Sequence, residues 1–144
     1  MKVVRLTEAS DSALGDINQL LRQLVHDVST YEPVSLERFN NIIINPQTLV
    51  VVARDGARIV GVGILFSVNK FRGIYGYIED MIVDETYRGQ GLGQKILEEL
   101  INLARAEDIR TIELSTRPSR VPANNLYKKL GFEHKETNVY RLKL

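Results

Sequence analysis

Cysteine and tryptophan are absent from this sequence of 144 residues, and there are only two histidines, His26 and His134. Without cysteine there can be no disulfide framework, no thiolate zinc site, no iron–sulfur cluster and no cysteine-bound acyl intermediate. Two lone histidines do not supply a histidine-rich ligand set, so we predict no metal. We interpret both histidines as structural, as a single histidine on a helix or strand usually is.

Long apolar runs are also missing, and the longest are far too short to cross a bilayer. The first residues carry charges within their short apolar run, unlike a signal peptide. We therefore expect a cytoplasmic protein with no membrane partner. A net charge of +1 lacks the basic excess of a duplex-binding domain, so no nucleic acid partner is expected. The length suffices to bury a core, and residues 1–144 are expected to form a single domain.

The charges are unevenly distributed along the chain. Residues 1–109 carry 11 Lys or Arg against 15 Asp or Glu, whereas residues 110–144 carry eight against three. This basic segment is either a set of solvated surfaces or a region that meets an anionic ligand.

Hydrophobic periodicity predicts the element order β-α-α-β-β-β-α-β-α-β. The predicted strands are residues 2–6, 48–53, 58–68, 75–83, 110–116 and 132–144. The predicted helices are one capped by Asp11 or Ser12 with apolar positions over 14–28, a second at 36–43 capped by Ser35, a third with apolar positions over 92–104, and a fourth at 123–130 that ends at Gly131. The strand–helix–strand unit over 77–116 requires a parallel crossover, so the prediction is a mixed α/β sheet with helices on both faces.

A glycine-rich turn stands between a predicted strand and the third helix. Residues 88–93 read Arg-Gly-Gln-Gly-Leu-Gly. Three alternating glycines favour a phosphate-binding turn, with backbone N–H groups aimed at the anion, over a turn that uses glycine only for its geometry. A Walker loop is excluded because no Ser or Thr follows the lysine. A dinucleotide-binding turn stays open as a weaker alternative, although its spacing differs and Glu113, the candidate ribose-binding acid, falls inside a strand.

Two motifs together resemble those of the GNAT family of N-acetyltransferases. Residues 82–93 resemble the acetyl-CoA-binding motif, whose core corresponds here to Arg88, Gly91 and Gly93. Residues 123–132 resemble the second signature, with Asn124 and Tyr127 at its defining positions. The resemblance implies a mostly antiparallel mixed sheet with one splayed parallel strand pair, and acetyl-CoA as co-substrate.

The resemblance also implies a set of residues that bind acetyl-CoA. The pantetheine arm would lie against the strand before the turn, and the pyrophosphate would meet the amides of the turn. Asn124 would bond the arm; its alternative role, as a helix cap or turn residue, is compatible with this one. These cofactor-binding residues are Met81, Ile82, Val83, Arg88, Gly89, Gln90, Gly91, Leu92, Gly93, Gln94, Asn124 and Tyr127.

Two residues are predicted to be catalytic under this resemblance. Tyr127 corresponds to the tyrosine that protonates the departing thiolate, although helical spacing alone favours a core aromatic. Glu79 is the candidate general base, acting directly or through water, with a surface charge as the plain alternative. Asp80 faces the other side of a regular strand unless a bulge turns it. Element position alone predicts the residues of the acceptor pocket, which are Tyr31, Glu32, Tyr75 and Tyr77.

The resulting hypothesis is an acetyl-CoA-dependent N-acetyltransferase in which a small-molecule or peptide amine attacks the thioester directly in a ternary complex, with a strand amide near Met81 or Ile82 helping to hold the developing oxyanion. The alternative is a non-catalytic acyl-CoA-binding or sensor module of the same fold. A homodimer is also considered, since the closing strand at 137–142 would have an exposed edge.

Overall fold

The sheet follows the predicted hydrophobic pattern over most of its length. A computed structural model describes residues 1–25 and 27–144, so the prediction for His26 lies outside the described residues. Five strands form one sheet in the order β1-β2-β3-β4-β5. The first three pairings are antiparallel, and β4 with β5 is parallel. The strands are β1 (Lys2–Arg5), β2 (Thr48–Asp55), β3 (Arg58–Lys70), β4 (Gly73–Val83) and β5 (Thr111–Leu114).

Four helices cover the two faces of this sheet. Buried residues of α1 and α2 share one hydrophobic cluster with Val50, Val52 and Ile82, and those of α3 share the other with Val51 and Leu65. Because β2 has helices on both sides, its first six residues are all buried. The helices are α1 (Asp11–Arg22), α2 (Leu36–Ile44), α3 (Leu92–Ala106) and α4 (Val121–Lys129), with short 3-10 turns at Val28–Thr30 and Glu85–Tyr87. This arrangement confirms the predicted fold class.

The local caps confirm their sequence signals. The Ser35 hydroxyl accepts a hydrogen bond from the Arg38 N–H at the start of α2. Gly131 takes a left-handed φ of 87° after α4, and the Phe132 N–H donates to the Tyr127 carbonyl at 3.0 Å. Such ends depend on neighbouring residues only, which is why they can be read from sequence.

The predicted extent of α1 and the last predicted strand are wrong. The periodicity over 14–28 extends α1 too far: the helix begins after Ser10, not Asp11 or Ser12, and ends at Arg22. Its last turn is tightened by bonds from Gln23 and Leu24 to carbonyls three residues back. The predicted closing strand at 132–144 does not form, and this described segment has neither helix nor strand. A strand needs a partner, and no neighbouring strand is bonded to it in the single chain.

Helix α3 approaches β3 closely because two glycines of that strand carry no side chain. A Cβ at Gly61 would lie 2.9 Å from Ile96 Cδ1, and one at Gly63 would lie 2.9 Å from Ile96 Cγ2 and 3.1 Å from Leu100 Cδ1. This contact fixes the start of α3, and with it the glycine turn, relative to β4.

Candidate active site

The parallel pair β4–β5 separates halfway along β4. Pairing runs from Tyr75 with Thr111 to Ile78 with Leu114, where β5 ends, whereas β4 continues to Val83. Residues 79–83 of β4 therefore have no hydrogen-bonded partner in β5. A cavity of about 170 Å³ lies at this point, and Glu79, Met81 and Tyr127 are among its lining residues. The sequence predicted this separation only through the family resemblance.

The glycine turn presents a row of free backbone donors. Gly89 and Gly91 adopt left-handed φ values of 77° and 76°, and Gly91 precedes α3 without any side-chain cap. Within the described chain, the N–H groups of residues 89–94 donate to no backbone or side-chain acceptor, and the first bonded N–H is that of Lys95, to the Gly91 carbonyl. The space in front of Gly89 and Gly91 is open. Unpaired donors at a helix N-terminus fit an anion such as a pyrophosphate.

Side chains from distant elements hold this turn in place. Asp84 is buried, and its carboxylate accepts bonds from the Thr86 N–H and hydroxyl and from Arg58. These hydrogen bonds hold the pKa of Asp84 below its usual range. The Gln23 side-chain carbonyl accepts from the Glu85 N–H and from Arg88, whose Nε also donates to the Val83 carbonyl. The Arg88 guanidinium thus supports the turn, and the Arg88 N–H donates to the Glu85 carbonyl, so the free backbone donors begin at Gly89.

The side chains of the other predicted cofactor-binding residues pack in the core or bond to neighbouring side chains. Met81 and Val83 pack towards α3, and Ile82 is buried on the opposite face against α1 and α2. Leu92 is a core residue of α3. The Gln94 side chain donates to Glu98 at 2.7 Å and accepts from Lys129 at 2.9 Å, which ties α3 to α4.

Gly93, the third glycine of the turn, is in ordinary contact with its surroundings. A Cβ there would lie 3.7 Å from Leu126 and 3.8 Å from Met81. Gly93 therefore lies where the turn, β4 and α4 meet.

Tyr127 is a core aromatic residue that also lines the cavity. Only 9% of the residue is exposed, and its ring packs against Phe132 with centroids 5.9 Å apart. The ring nevertheless lines the cavity, and the hydroxyl makes no hydrogen bond to any described residue. Withdrawal from water raises the pKa of Tyr127, and the nearby Arg120 opposes this in part. The hydroxyl is therefore protonated at neutral pH and free to donate.

A β-bulge places two carboxylates at the mouth of the cavity. Val62 pairs with Ile82 and Ile64 with Glu79, so Asp80 and Met81 together oppose Gly63. Asp80 takes a left-handed φ of 48°, a conformation that aspartate tolerates better than most residues. The bulge that the sequence left open is therefore present, and Glu79 and Asp80 line the same cavity.

Both carboxyl groups keep access to solvent, but the pKa of each is raised. Partial desolvation raises the pKa of Glu79, and the charge of Asp80 raises it further. Desolvation also raises the pKa of Asp80, with a smaller opposing effect from Arg38. Adjacent carboxylates with raised pKa values suit the acceptance of a proton from an ammonium group.

Asn124 acts as the turn residue that its alternative interpretation described. Its side-chain N–H groups donate to the carbonyls of Arg117 and Arg120, each at 3.0 Å. These bonds hold the loop before α4 and leave only the Asn124 side-chain oxygen for a ligand.

Sequence reasoning missed two polar groups in the elements that flank the site. The Thr116 hydroxyl, just beyond β5, is buried and has no hydrogen-bond partner in the described part of the chain. Asn18 in α1 accepts from the Tyr31 hydroxyl at 2.5 Å and from the Val34 N–H at 2.8 Å. These hydrogen bonds fix the loop between α1 and α2. No local sequence pattern predicts a bond between residues 16 positions apart.

The guessed acceptor-pocket residues do not all lie together. Tyr31 is close enough to Asp80 to be affected by its charge, although desolvation is the main reason that the pKa of Tyr31 is raised. Tyr75 instead lines a second cavity of about 470 Å³ beside Lys70, whose Nζ also contacts Tyr77. Glu32 is exposed and has no described hydrogen-bond partner.

Neither a metal cluster nor a membrane span is present among the residues described. The described residues include no group of three or more His, Asp or Glu side chains able to hold a metal ion. None of the described helices combines the length and apolar character needed to cross a bilayer.

Comparisons with known proteins identify the family to which the chain belongs. Residues 16–132 match the model of the acetyltransferase (GNAT) family. The chain is 29% identical to thialysine N-epsilon-acetyltransferase of Mus musculus, over 91% of this chain and 85% of that protein. It is 34% identical to glucosamine 6-phosphate N-acetyltransferase 1 of Dictyostelium discoideum, over 82% and 76%. The crystal structure of glucosamine-6-phosphate N-acetyltransferase from Arabidopsis thaliana superposes with a TM-score of 0.79 at 26% identity, covering 98% of this chain and 97% of that one.

Proposed function

The chain belongs to the acetyltransferase (GNAT) family and is an acyltransferase, and from this we propose that it transfers an acetyl group from acetyl-CoA to a primary amine. The observation that carries this proposal is the meeting of Glu79 and Tyr127 on one cavity, where β4 separates from β5. We propose one N-acetyltransferase domain across residues 1–144, acting on a small-molecule or peptide amine and forming a homodimer. The cytoplasmic location stays a prediction.

The glycine turn and the free edge of β4 support acetyl-CoA as the donor. The unpaired N–H groups of residues 89–94 would bind its pyrophosphate, and the backbone of residues 81–83 would pair with the amides of its pantetheine arm. The Asn124 side-chain oxygen is not used by the bonds that its N–H groups make, and it would bond the pantetheine arm. Bound there, acetyl-CoA supplies the acetyl thioester.

The cavity residues divide the proton transfers between them. Glu79 accepts a proton from the ammonium group of the substrate, directly or through water, because a protonated amine is not a nucleophile. Tyr127 donates its phenolic proton to the sulfur as the C–S bond breaks. The second proton of the attacking nitrogen passes to solvent, from which Tyr127 is reprotonated. The chain has no cysteine, which supports direct transfer over a route through a cysteine-bound acyl group.

The acceptor is proposed to be a small amine. Two of the relatives are named for acetylation of thialysine and of glucosamine 6-phosphate, and both are amine-bearing small molecules. The cavity volume of about 170 Å³ accommodates the amine end of a small molecule, and the amino group of a peptide remains the second candidate.

An assay of free thiol release tests the proposed activity. Protein and acetyl-CoA are incubated with a panel that contains thialysine, lysine, glucosamine 6-phosphate, a polyamine and an amino-terminal peptide. Because the protein contributes no cysteine, all free thiol comes from CoA. We expect release that depends on one amine and that falls strongly in Tyr127→Phe.

Two results would contradict the proposal in different ways. Binding of acetyl-CoA by calorimetry without thiol release for any amine would favour the non-catalytic acyl-CoA-binding module. Absence of acetyl-CoA binding altogether would remove the assignment of the glycine turn.

A further inference from the structure

The loop between β5 and α4 contributes a cation to the cavity where β4 and β5 separate. Arg120 lines this cavity together with Ser115 of the same loop, whereas Glu79 and Asp80 line it from β4. Because β5 ends here and β4 continues, the loop and β4 form different sides of the cavity. One cavity of about 170 Å³ therefore carries carboxylates on the β4 side and a guanidinium on the loop side.

The Arg120 guanidinium is available to a ligand. None of the ion pairs of the described chain includes Arg120, and its side chain does not cap α4, although it is the residue before that helix. Its charge reaches the site, since it opposes the effect of burial on the pKa of Tyr127. A guanidinium presents several N–H donors in a planar fork that fits a carboxylate or a phosphate.

The position of Arg120 assigns it to the acceptor rather than to the cofactor. In the proposed function, the pyrophosphate lies at residues 89–94 and the pantetheine arm lies along residues 81–83, so the amine approaches from the side of Glu79. The described lining of the cavity includes Arg120 and Glu79 and none of residues 89–94. An anion that meets Arg120 there would belong to the molecule that brings the amine.

The charges around the cavity mouth do not suit a polyamine. Glu79 and Asp80 would attract any cation, but Arg120 lines the same cavity and Arg38 of α2 is close enough to Asp80 to lower its pKa against the effect of burial. A second ammonium group would meet these guanidinium groups, whereas a molecule with an amine at one end and an anion at the other complements both signs of charge.

We propose that the acceptor carries a carboxylate or a phosphate in addition to its amine, and that Arg120 binds this anionic group. The proposal rests on the proposed N-acetyltransferase function and narrows its substrate class. Arg120 is then a residue that determines specificity: it holds the anionic end of the acceptor while the amine lies at Glu79.

Pairs of amines that differ in one anionic group test this assignment. Lysine is compared with lysine amide, which lacks the carboxylate charge, and glucosamine 6-phosphate is compared with glucosamine. Release of free thiol from acetyl-CoA gives kcat/KM for each amine. In at least one pair we expect the anionic member to be preferred about 10–100-fold, the usual effect of a hydrogen bond to a charged group. The pair that shows the preference tells a carboxylate from a phosphate.

Two neighbouring arginines provide a variant and its matched control. Arg120→Gln should reduce the preference for the anionic amine to about one, with little change in kcat/KM for the neutral member, and Arg120→Lys should keep part of the preference. Arg117 is exposed in the same loop, and its carbonyl, like that of Arg120, accepts a bond from Asn124. Arg117→Gln removes the same charge outside the cavity and should keep the preference. Circular dichroism verifies that the variants are folded.

Three outcomes would overturn the assignment. Equal kcat/KM within both pairs for the unmodified protein contradicts an anionic acceptor and leaves the acetyltransferase function standing. An unchanged preference in Arg120→Gln, with a raised KM for acetyl-CoA, assigns Arg120 to the cofactor. Absence of thiol release with every amine removes the proposed function and this assignment together.

Discussion

At the scale of single residues, the Tyr127 hydroxyl is the group whose removal is most informative. The ring is packed on Phe132 and the hydroxyl is unpaired within the described chain, so Tyr127→Phe removes a proton donor and leaves the packing. We expect kcat to fall about 10²-fold, in the usual range for loss of a general acid, with little change in affinity for acetyl-CoA. Steady-state kinetics and calorimetry provide the two measurements. An unchanged kcat would leave Tyr127 as a core residue only.

The two adjacent carboxylates predict a specific pH dependence. A general base works when it is ionised, and both desolvation and the charge of Asp80 raise the pKa of Glu79. We therefore expect kcat/KM to rise with pH, with the rise centred on a pKa above that of free glutamate. Asp80→Asn removes the neighbouring charge and keeps a residue that tolerates the left-handed φ of 48°. In this variant the rise of kcat/KM should occur at lower pH.

The matched control for this pH profile is Glu79→Gln, which should lower kcat/KM and remove its rise with pH. If Asp80→Asn instead causes the larger loss and Glu79→Gln leaves the profile unchanged, Asp80 is the base.

The glycine turn predicts a graded effect of charge at Gly91. Its φ is 76° and the space before it is open, so Gly91→Asp brings a negative charge to the proposed pyrophosphate position and should abolish acetyl-CoA binding. Gly91→Asn has nearly the same shape without the charge and should retain more affinity. Calorimetry measures both, and tight binding by the aspartate variant would contradict the phosphate-turn assignment.

At the scale of elements, the contact between α3 and β3 positions the turn. Gly63→Ala would bring a methyl group to 2.9 Å from Ile96, and overpacking of this kind costs about 1–3 kcal/mol of unfolding free energy. Gly15 is exposed in the interior of α1 with no atom within 4 Å of an added Cβ. Gly15→Ala should therefore stabilise the protein by about 0.5–1 kcal/mol. Urea unfolding compares the two, and a stabilised Gly63→Ala would contradict the close packing.

Local signals explain why most elements were predictable. The Ser35 cap and the Gly131 stop depend on bonds within four or five residues. The end of α1 was mispredicted because Leu24 continues the apolar period, while Gln23 accepts a hydrogen bond from Glu85, 62 residues away. The strand predicted at 132–144 has the right pattern, but pattern alone does not provide a neighbouring strand.

At the scale of the whole molecule, a ligand that contacts β4, α3 and α4 together should stabilise the folded protein. A ligand that binds only the folded state raises stability, by about 2.7 kcal/mol at a concentration one hundred times its Kd. We expect acetyl-CoA to raise the melting temperature measured by scanning fluorimetry and NAD to leave it unchanged. Glu113, the acid that a dinucleotide would require, is engaged by Lys135. Stabilisation by NAD instead would revive the dinucleotide alternative.

The sequence by itself determined the element types up to α4, the glycine turn and the family motifs, because periodicity, capping and motif spacing act between neighbouring residues. Only the tertiary structure decided that Asp80 sits in a bulge opposite Gly63, that Arg88 supports the turn with its side chain, and that Asn124 holds the loop before α4. It also showed that the last apolar residues lie in water. These outcomes depend on contacts between distant residues, and sequence patterns do not specify which distant groups meet.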